Sequence, residues 1–191
     1  MLRNRSLMAV SLVVAVTFIG VGMVVPVRVL YAQSHGASLA VIGAMASAFF
    51  LSNFLFQYPT GWLADLWGRK PLMVVGLAVQ AGLALVYLTV TDPVAFVILR
   101  FVEGAVSASV LPAARALVAD SVPPEQRGEA YGIFGGFLSA GFLLGPAIGG
   151  LFATLGYASA FVGSCVFRLV AIGLLLTMIK AKGQAHAEAR A

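Results

Sequence analysis

Residues 61–71 read Gly61-Trp62-Leu63-Ala64-Asp65-Leu66-Trp67-Gly68-Arg69-Lys70-Pro71. This short charged turn stands between two long apolar runs, residues 39–63 before it and 72–91 after it. Hydrocarbon about 30 Å thick needs about 20 apolar residues as helix to cross it, and both runs meet that length. Pro71 lacks an N–H and suits the first turn of a helix. The stretch therefore reads as the turn of a membrane-spanning helical hairpin.

The same reading repeats outward in both directions. Apolar runs at 7–30, 93–118, 130–153 and 160–179 bring the number of spans to six. Composition agrees. Of 191 residues, 61% are hydrophobic and 10% charged, where soluble domains carry roughly a quarter charged residues. A soluble fold of this size could not hide so much apolar surface. Helices and closed barrels are the structures that can span lipid, and none of the six runs alternates as barrel strands do. The first run is longer than the roughly 7–15 residues of a signal-peptide core and reads as a retained span. The expected fold is an all-α membrane protein: one six-helix transmembrane domain over residues 1–191, with residues 181–191 as a flexible cytoplasmic tail.

The net charge is +5. In a soluble chain that would raise nucleic acid as a partner. Here the bases sit in the connections, where they set orientation, and no nucleic acid is expected. Arg3 and Arg5 precede the first span, Arg69 and Lys70 follow the second, Arg127 the fourth, and Lys180, Lys182 and Arg190 the sixth. The alternate connections carry almost nothing basic, apart from Arg28 at a helix end. Positive-inside places both termini in the cytoplasm, and an even number of spans agrees. A weak repeat at an offset of about 88 residues matches Gly43 with Gly132, Pro59 with Pro146, Gly61 with Gly149 and Gly68 with Gly156. Three spans lie between the copies, so the second is inverted, a 3+3 arrangement found in transporters.

Asp65 closes a helix end where the macrodipole disfavours negative charge, and Arg69, just across the Gly68 turn, is close enough to compensate it. A surface ion pair alone would contribute little and would leave the rest of the pattern unexplained. The pattern G-x-L-x-D-x-x-G-R-K closely resembles the signature loop of the major facilitator superfamily, and the resemblance extends over the whole chain as an amino-terminal six-helix half. It implies that Gly61, Asp65, Gly68, Arg69, Lys70 and Asp120 form a gating loop on the cytoplasmic side. Asp65 would contact a helix of the carboxyl-terminal half, and Arg69 would pair with Asp120 at the end of the fourth span.

Two further segments extend the resemblance. In the fourth span Arg100 and Glu103 share one helical face, followed by Gly104 and Ser107. Intramembrane charges are costly and face a bundle interior or water. Arg100-x-x-x-Gly104 is similar to a family motif tied to proton coupling, and Glu103 is the one carboxylate well inside a span. Burial favours the neutral acid and a nearby arginine the carboxylate, so Glu103 reads either as a proton carrier tuned by Arg100 or as half of a permanent ion pair. In the fifth span Gly132, Gly141, Gly145-Pro146 and Gly149-Gly150 match the antiporter motif of drug–proton exchangers. The steps from Gly141 to Gly145 to Gly149 make a groove for a close helix partner, which the resemblance assigns to the other half, and Pro146 leaves the Phe142 carbonyl without its helical bond. Unlike many drug exchangers, the first span carries no acid around Thr17–Gly22.

Arg28, Asn53, Gln57, Tyr58 and Ser107 are candidates to line a substrate cavity, with interfacial anchoring or helix packing as the alternative for each. Arg168 stands near mid-span and needs a partner the sequence does not name. Arg115 can snorkel. His35 and His186 read as solvated, Pro123-Pro124 as a turn, and Cys165 as a packing residue. No metal cluster, nucleophile–base set or carboxylate pair suggests an enzyme, and no cofactor or metal is implied. The expected function is secondary active transport by alternating access, with proton-coupled efflux of a small organic compound or drug ahead of sugar or nutrient symport or uniport. The remaining alternative is a half-length fragment or assembly subunit without transport of its own. Expected partners are the lipid bilayer, a small-molecule substrate, protons and a second six-helix half, supplied by the same chain, a separate subunit or a self-dimer. The expected location is a bacterial cytoplasmic (inner) membrane.

Overall fold

The computed structural model describes residues 4–179; the expected tail at 181–191 lies outside them. Among the described residues the regular structure is entirely helical. Helix α1 (Arg5–Ser34) starts at Asn4, whose side chain accepts the Leu7 N–H at 3.1 Å and donates to the Ser121 carbonyl at 2.8 Å. Helix α2 (Leu39–Trp67) is capped by Ser38 and stops at Gly68. Helix α3 (Arg69–Val86) closes in a 3-10 turn at Tyr87–Thr89. Helix α4 (Pro93–Ser107) is capped by Asp92, with Pro93 in its first turn. Helix α5 (Val110–Asp120) follows directly. Helix α6 (Arg127–Ala153) and helix α7 (Tyr157–Met178) complete the helices of the described residues.

Six segments are long and apolar enough to cross a membrane, α4 and α5 together making the fourth. That span departs from the single helix expected over 93–118. It is interrupted at Ala108–Ser109 because Pro112 has no N–H for the Ala108 carbonyl, four residues back. Thr60 Oγ1 of α2 lies 3.2 Å from that carbonyl, its single proton shared with the Phe56 and Gln57 carbonyls at 2.7 and 3.2 Å, so a neighbouring helix offers the break a shared donor. The second span outruns its expected end at residue 63 by continuing to Trp67, which puts Asp65 in the last helical turn.

The inverted repeat is visible in the packing. Helix α1 lies along α6, α4 lies along α2, and α3 lies along α7. Exchanging spans one and four, two and five, and three and six maps that pattern onto itself. The turns agree as well: Gly68 has φ 91° and ψ 152°, and Gly156 has φ 111° and ψ 151°, each opening the third helix of its repeat. Only glycine adopts such angles readily.

Helix α1 is the most buried span. Around it, Leu7, Val10, Val14, Met73, Leu77 and Leu175 form a core toward the end bearing Arg69, here the basic end. Val24, Val27, Tyr31, Tyr87, Phe96 and Phe161 form a second core toward the opposite end. Helices α2 and α6 are the least buried. A stripe of Phe50, Phe54, Tyr58 and Trp62 stands outward on α2, with Phe54 73% and Tyr58 85% exposed.

Candidate functional site

At the basic end the Gly68 turn starts α3 at once and aims Arg69 back across α5. The guanidinium pairs with Asp120 and donates to the Ala116 carbonyl at 2.9 Å. The expected Arg69–Asp120 contact is thus present. The expected compensation of Asp65 by Arg69 is not: the guanidinium is turned toward α5, and among the described residues Asp65 makes no hydrogen bond or ion pair. Asp65 is exposed and lines a shallow cleft with Thr60, Gly61, Arg69 and Pro112. A Cβ added at Gly61 would meet nothing within 4 Å. Lys70 points elsewhere, donating to the carbonyls of Leu176, at 3.2 Å, and Ile179 at the end of α7. A base at that position also suits the helix dipole.

Toward the opposite end, Arg100 and Glu103 meet as the three-residue step requires, Nη1 to Oε2 at 2.9 Å. Arg28 joins them from α1, its Nη2 2.9 Å from the other Glu103 oxygen. Tyr87 donates its hydroxyl to Oε2 at 3.3 Å. Glu103 therefore receives three donors carried by three spans. Arg28 is also stacked over the Tyr87 ring at 5.0 Å, and Arg100 over Phe49 at 4.1 Å. Arg28 was a candidate for substrate contact at an outer helix end; it is instead buried, because α1 continues to Ser34 and carries it inside the bundle. The signal for this contact was available: a carboxylate buried in a span needs donors, and Arg28 and Arg100 are the bases nearest its level.

Arg168 is 1% exposed and is held by neutral groups. Its Nε donates to Gln80 Oε1 at 3.4 Å and its Nη1 to Ser164 Oγ, which in turn donates to the Gly20 carbonyl at 2.6 Å. Gln80 and Arg168 are 88 residues apart, the spacing of Gly68 and Gly156. The partner thus sits at the equivalent position of the other repeat. Neither Gln80, Ser164 nor Tyr87 was singled out by sequence reasoning, and the repeat offset pointed to the first of them.

The glycine groove of α6 requires a correction. Added Cβ atoms would lie 2.5 Å from the Ala15 carbonyl oxygen at Gly141, 2.6 Å from Gly22 Cα at Gly145, and against Met23 backbone at Gly149. The groove is filled by α1 of the same chain and is not open to a second half. Gly22 supplies the reason: two glycine surfaces let the helix backbones touch. Gly132 and Gly150, by contrast, face open space. Helix α6 runs unbroken through Pro146, whose ring lies against Gly22.

Of the cavity candidates, Asn53 donates to the Gly104 carbonyl at 3.2 Å and accepts from Gln57 at 3.3 Å. These amides mark the seam between α2 and α4, where Gly104 meets the Phe49 carbonyl and Ser52. Tyr58 leaves this seam for the exposed aromatic stripe. Ser107 is half-buried at the end of α4. Among the described residues no group of three or more His, Cys, Asp or Glu is placed to hold a metal ion.

Residues 10–190 match the family model described as Major Facilitator Superfamily. The chain is 36% identical over 139 residues to an uncharacterized MFS-type transporter of Methanocaldococcus jannaschii, covering 73% of this chain and 36% of that protein. It is 25% identical over 176 residues to the quinolone resistance protein NorA of Staphylococcus aureus, covering 92% of this chain and 45% of the relative. The chain thus spans less than half the length of each of these relatives.

Proposed function

The chain belongs to the Major Facilitator Superfamily, and on that premise we propose that it is the amino-terminal six-helix half of an efflux transporter. Its cargo is a small organic compound, exchanged for protons by alternating access across a bacterial cytoplasmic membrane, with the basic end and both termini inside. The observation that carries this reading is the half-made contact at the basic end. Arg69 is tied to Asp120 within the half, while Asp65 and Gly61 stand beside that tie with an open face. A structural turn has no use for an exposed acid at the wrong pole of a helix; a gate that closes against another helix does. The similarity to a quinolone resistance protein favours export of an organic compound over nutrient uptake.

The Arg100–Glu103 pair supports a fixed role more than a proton carrier. Two guanidinium groups and a phenol all address the charged carboxylate, and a carrier would have to release both arginines in each cycle. Glu103 is then the counter-ion joining α1 to α4, and the exchanged proton is handled elsewhere.

A second reading is an assembly subunit that moves nothing alone. The open aromatic stripe of α2 and the open surface of α6 favour it. One experiment serves both. Everted vesicles bearing the chain, with and without a complementary six-helix half, are scored for dye uptake driven by an imposed proton gradient. Uptake that collapses with an uncoupler, and that Asp65→Asn reduces while membrane insertion is kept, is the expected result. Undiminished uptake in Asp65→Asn overturns the gate, and uptake indifferent to the uncoupler overturns the exchange.

A further inference from the structure

The polar cluster away from the basic end is short of negative charge. Arg28, Arg100 and Arg168 lie within the spans, and Glu103 is the one buried carboxylate among the described residues. Asp92 is an exposed cap at the start of α4, and Asp65, Asp120, Glu125 and Glu129 stand toward the basic end. Arg168 is satisfied by Gln80 and Ser164. Arg28 and Arg100 divide Glu103, one oxygen each. Arg28 is 6% exposed and still keeps its Nε without a hydrogen-bond partner. Arg100 makes a single hydrogen bond, and 14% of its side-chain surface stays open. Buried charges are paired or face water, and here two guanidinium groups share one negative charge.

The surroundings of Arg100 indicate what would complete the pairing. Phe49 covers one face of its guanidinium at 4.1 Å, so an anion approaches in the plane of the fork, where two parallel N–H groups hold an oxyanion bidentately. One turn along α4 from Arg100, the Gly104 carbonyl accepts from Asn53 on the α2–α4 seam, and Asn53 in turn accepts from the exposed Gln57. An exposed amide in mid-span is unsuited to lipid and marks a face toward water or protein.

We propose that Arg100, backed by Arg28, is the receptor for a small organic carboxylate carried by the transported compound. This rests on the transporter reading and adds a substrate class to it. The probe is radiolabelled benzoate, bound to the purified chain in nanodiscs, with benzamide as the neutral competitor of the same shape. Benzoate should bind saturably and be displaced by benzoate but not by benzamide. Affinity should fall about tenfold or more in Arg100→Gln, as expected for losing a charge-assisted contact, and stay unchanged in Arg115→Gln at the basic end. Should Arg100→Gln fail to insert, Arg100→Lys keeps the charge without the fork and must bind benzoate more weakly than the native chain. Equal displacement by benzamide, or an affinity indifferent to both Arg100 variants, overturns the proposal. Repeating the titration on the chain assembled with a complementary half tests the source: retained binding supports a transported carboxylate, and exclusion overturns that assignment in favour of an acid of the other half. Binding is read without a gradient, so loss of transport alone leaves the receptor standing, and loss of carboxylate selectivity alone leaves transport standing.

Discussion

Gly145→Ala tests whether the α6 groove belongs to this half. The added methyl would sit 2.6 Å from Gly22 Cα, 2.8 Å from the Ile19 carbonyl oxygen and 2.9 Å from Gly22 C. Carbon atoms in contact rest about 3.5–4.0 Å apart, so α1 and α6 must separate by roughly 1 Å. All three obstacles are backbone, and no rotamer change relieves them. Overpacking of this kind costs about 1–3 kcal/mol. Gly150→Ala is the internal control: it lies on the same helix with nothing within 4 Å of the new Cβ, so both variants gain the same helix propensity and the difference between them isolates the clash. The assay is unfolding of the purified chain in detergent, followed by circular dichroism. Gly145→Ala should be the less stable by that amount, and Gly22→Ala should not add to it independently, because the two residues share one contact. Identical stability of Gly145→Ala and Gly150→Ala would refute the packing and return the groove to a helix outside this chain.

Glu103→Gln leaves Arg28 and Arg100 buried without their shared counter-ion, and should cost about 3–5 kcal/mol in the same unfolding assay; the combination with Arg28→Gln should recover part of the loss, and failure to recover any would argue against the pair. Thr60→Val removes the hydroxyl shared by the Ala108, Phe56 and Gln57 carbonyls and should cost about 0.5–1.5 kcal/mol in the same assay, with Thr60→Ser close to native. Asp120→Asn breaks a partly exposed pair, with side-chain exposures of 32% and 27%, and should change stability by about 0–1 kcal/mol while lowering gradient-driven uptake in the vesicle assay.

The spans and the turn at Gly68 were legible because each depends on local chemistry, apolar length and a glycine at positive φ; the Arg69–Asp120 contact, between residues 51 apart, came only from the family resemblance of the loop. Partners set by the third dimension were not. Arg28 reads from the sequence as a cavity residue or an interfacial anchor because its apolar run ends at residue 30, and only the continuation of α1 to Ser34 brings it to Glu103. The glycines of α6 announced a close neighbour without naming it, and a GxxxG face fits any helix that is small at the right place; Gly22 on α1 is that place. The break at Ala108 was hidden because the residues around Pro112 are as apolar as the helix on either side. Asp65 was assigned to Arg69 on sequence proximity, but the turn directs that side chain to α5.

The bond between Gln80 and Arg168 has a consequence for descent. If two copies of a three-helix ancestor once packed about a two-fold axis, positions beside that axis met their own image. Two arginines there would repel in a dry interior, whereas two glutamines could bond to each other, each amide both donor and acceptor. A change of one glutamine to arginine keeps the bond and makes it directional, the guanidinium donating and the amide oxygen accepting. Arg168→Gln would put the same amide at both positions and make that one contact symmetric again.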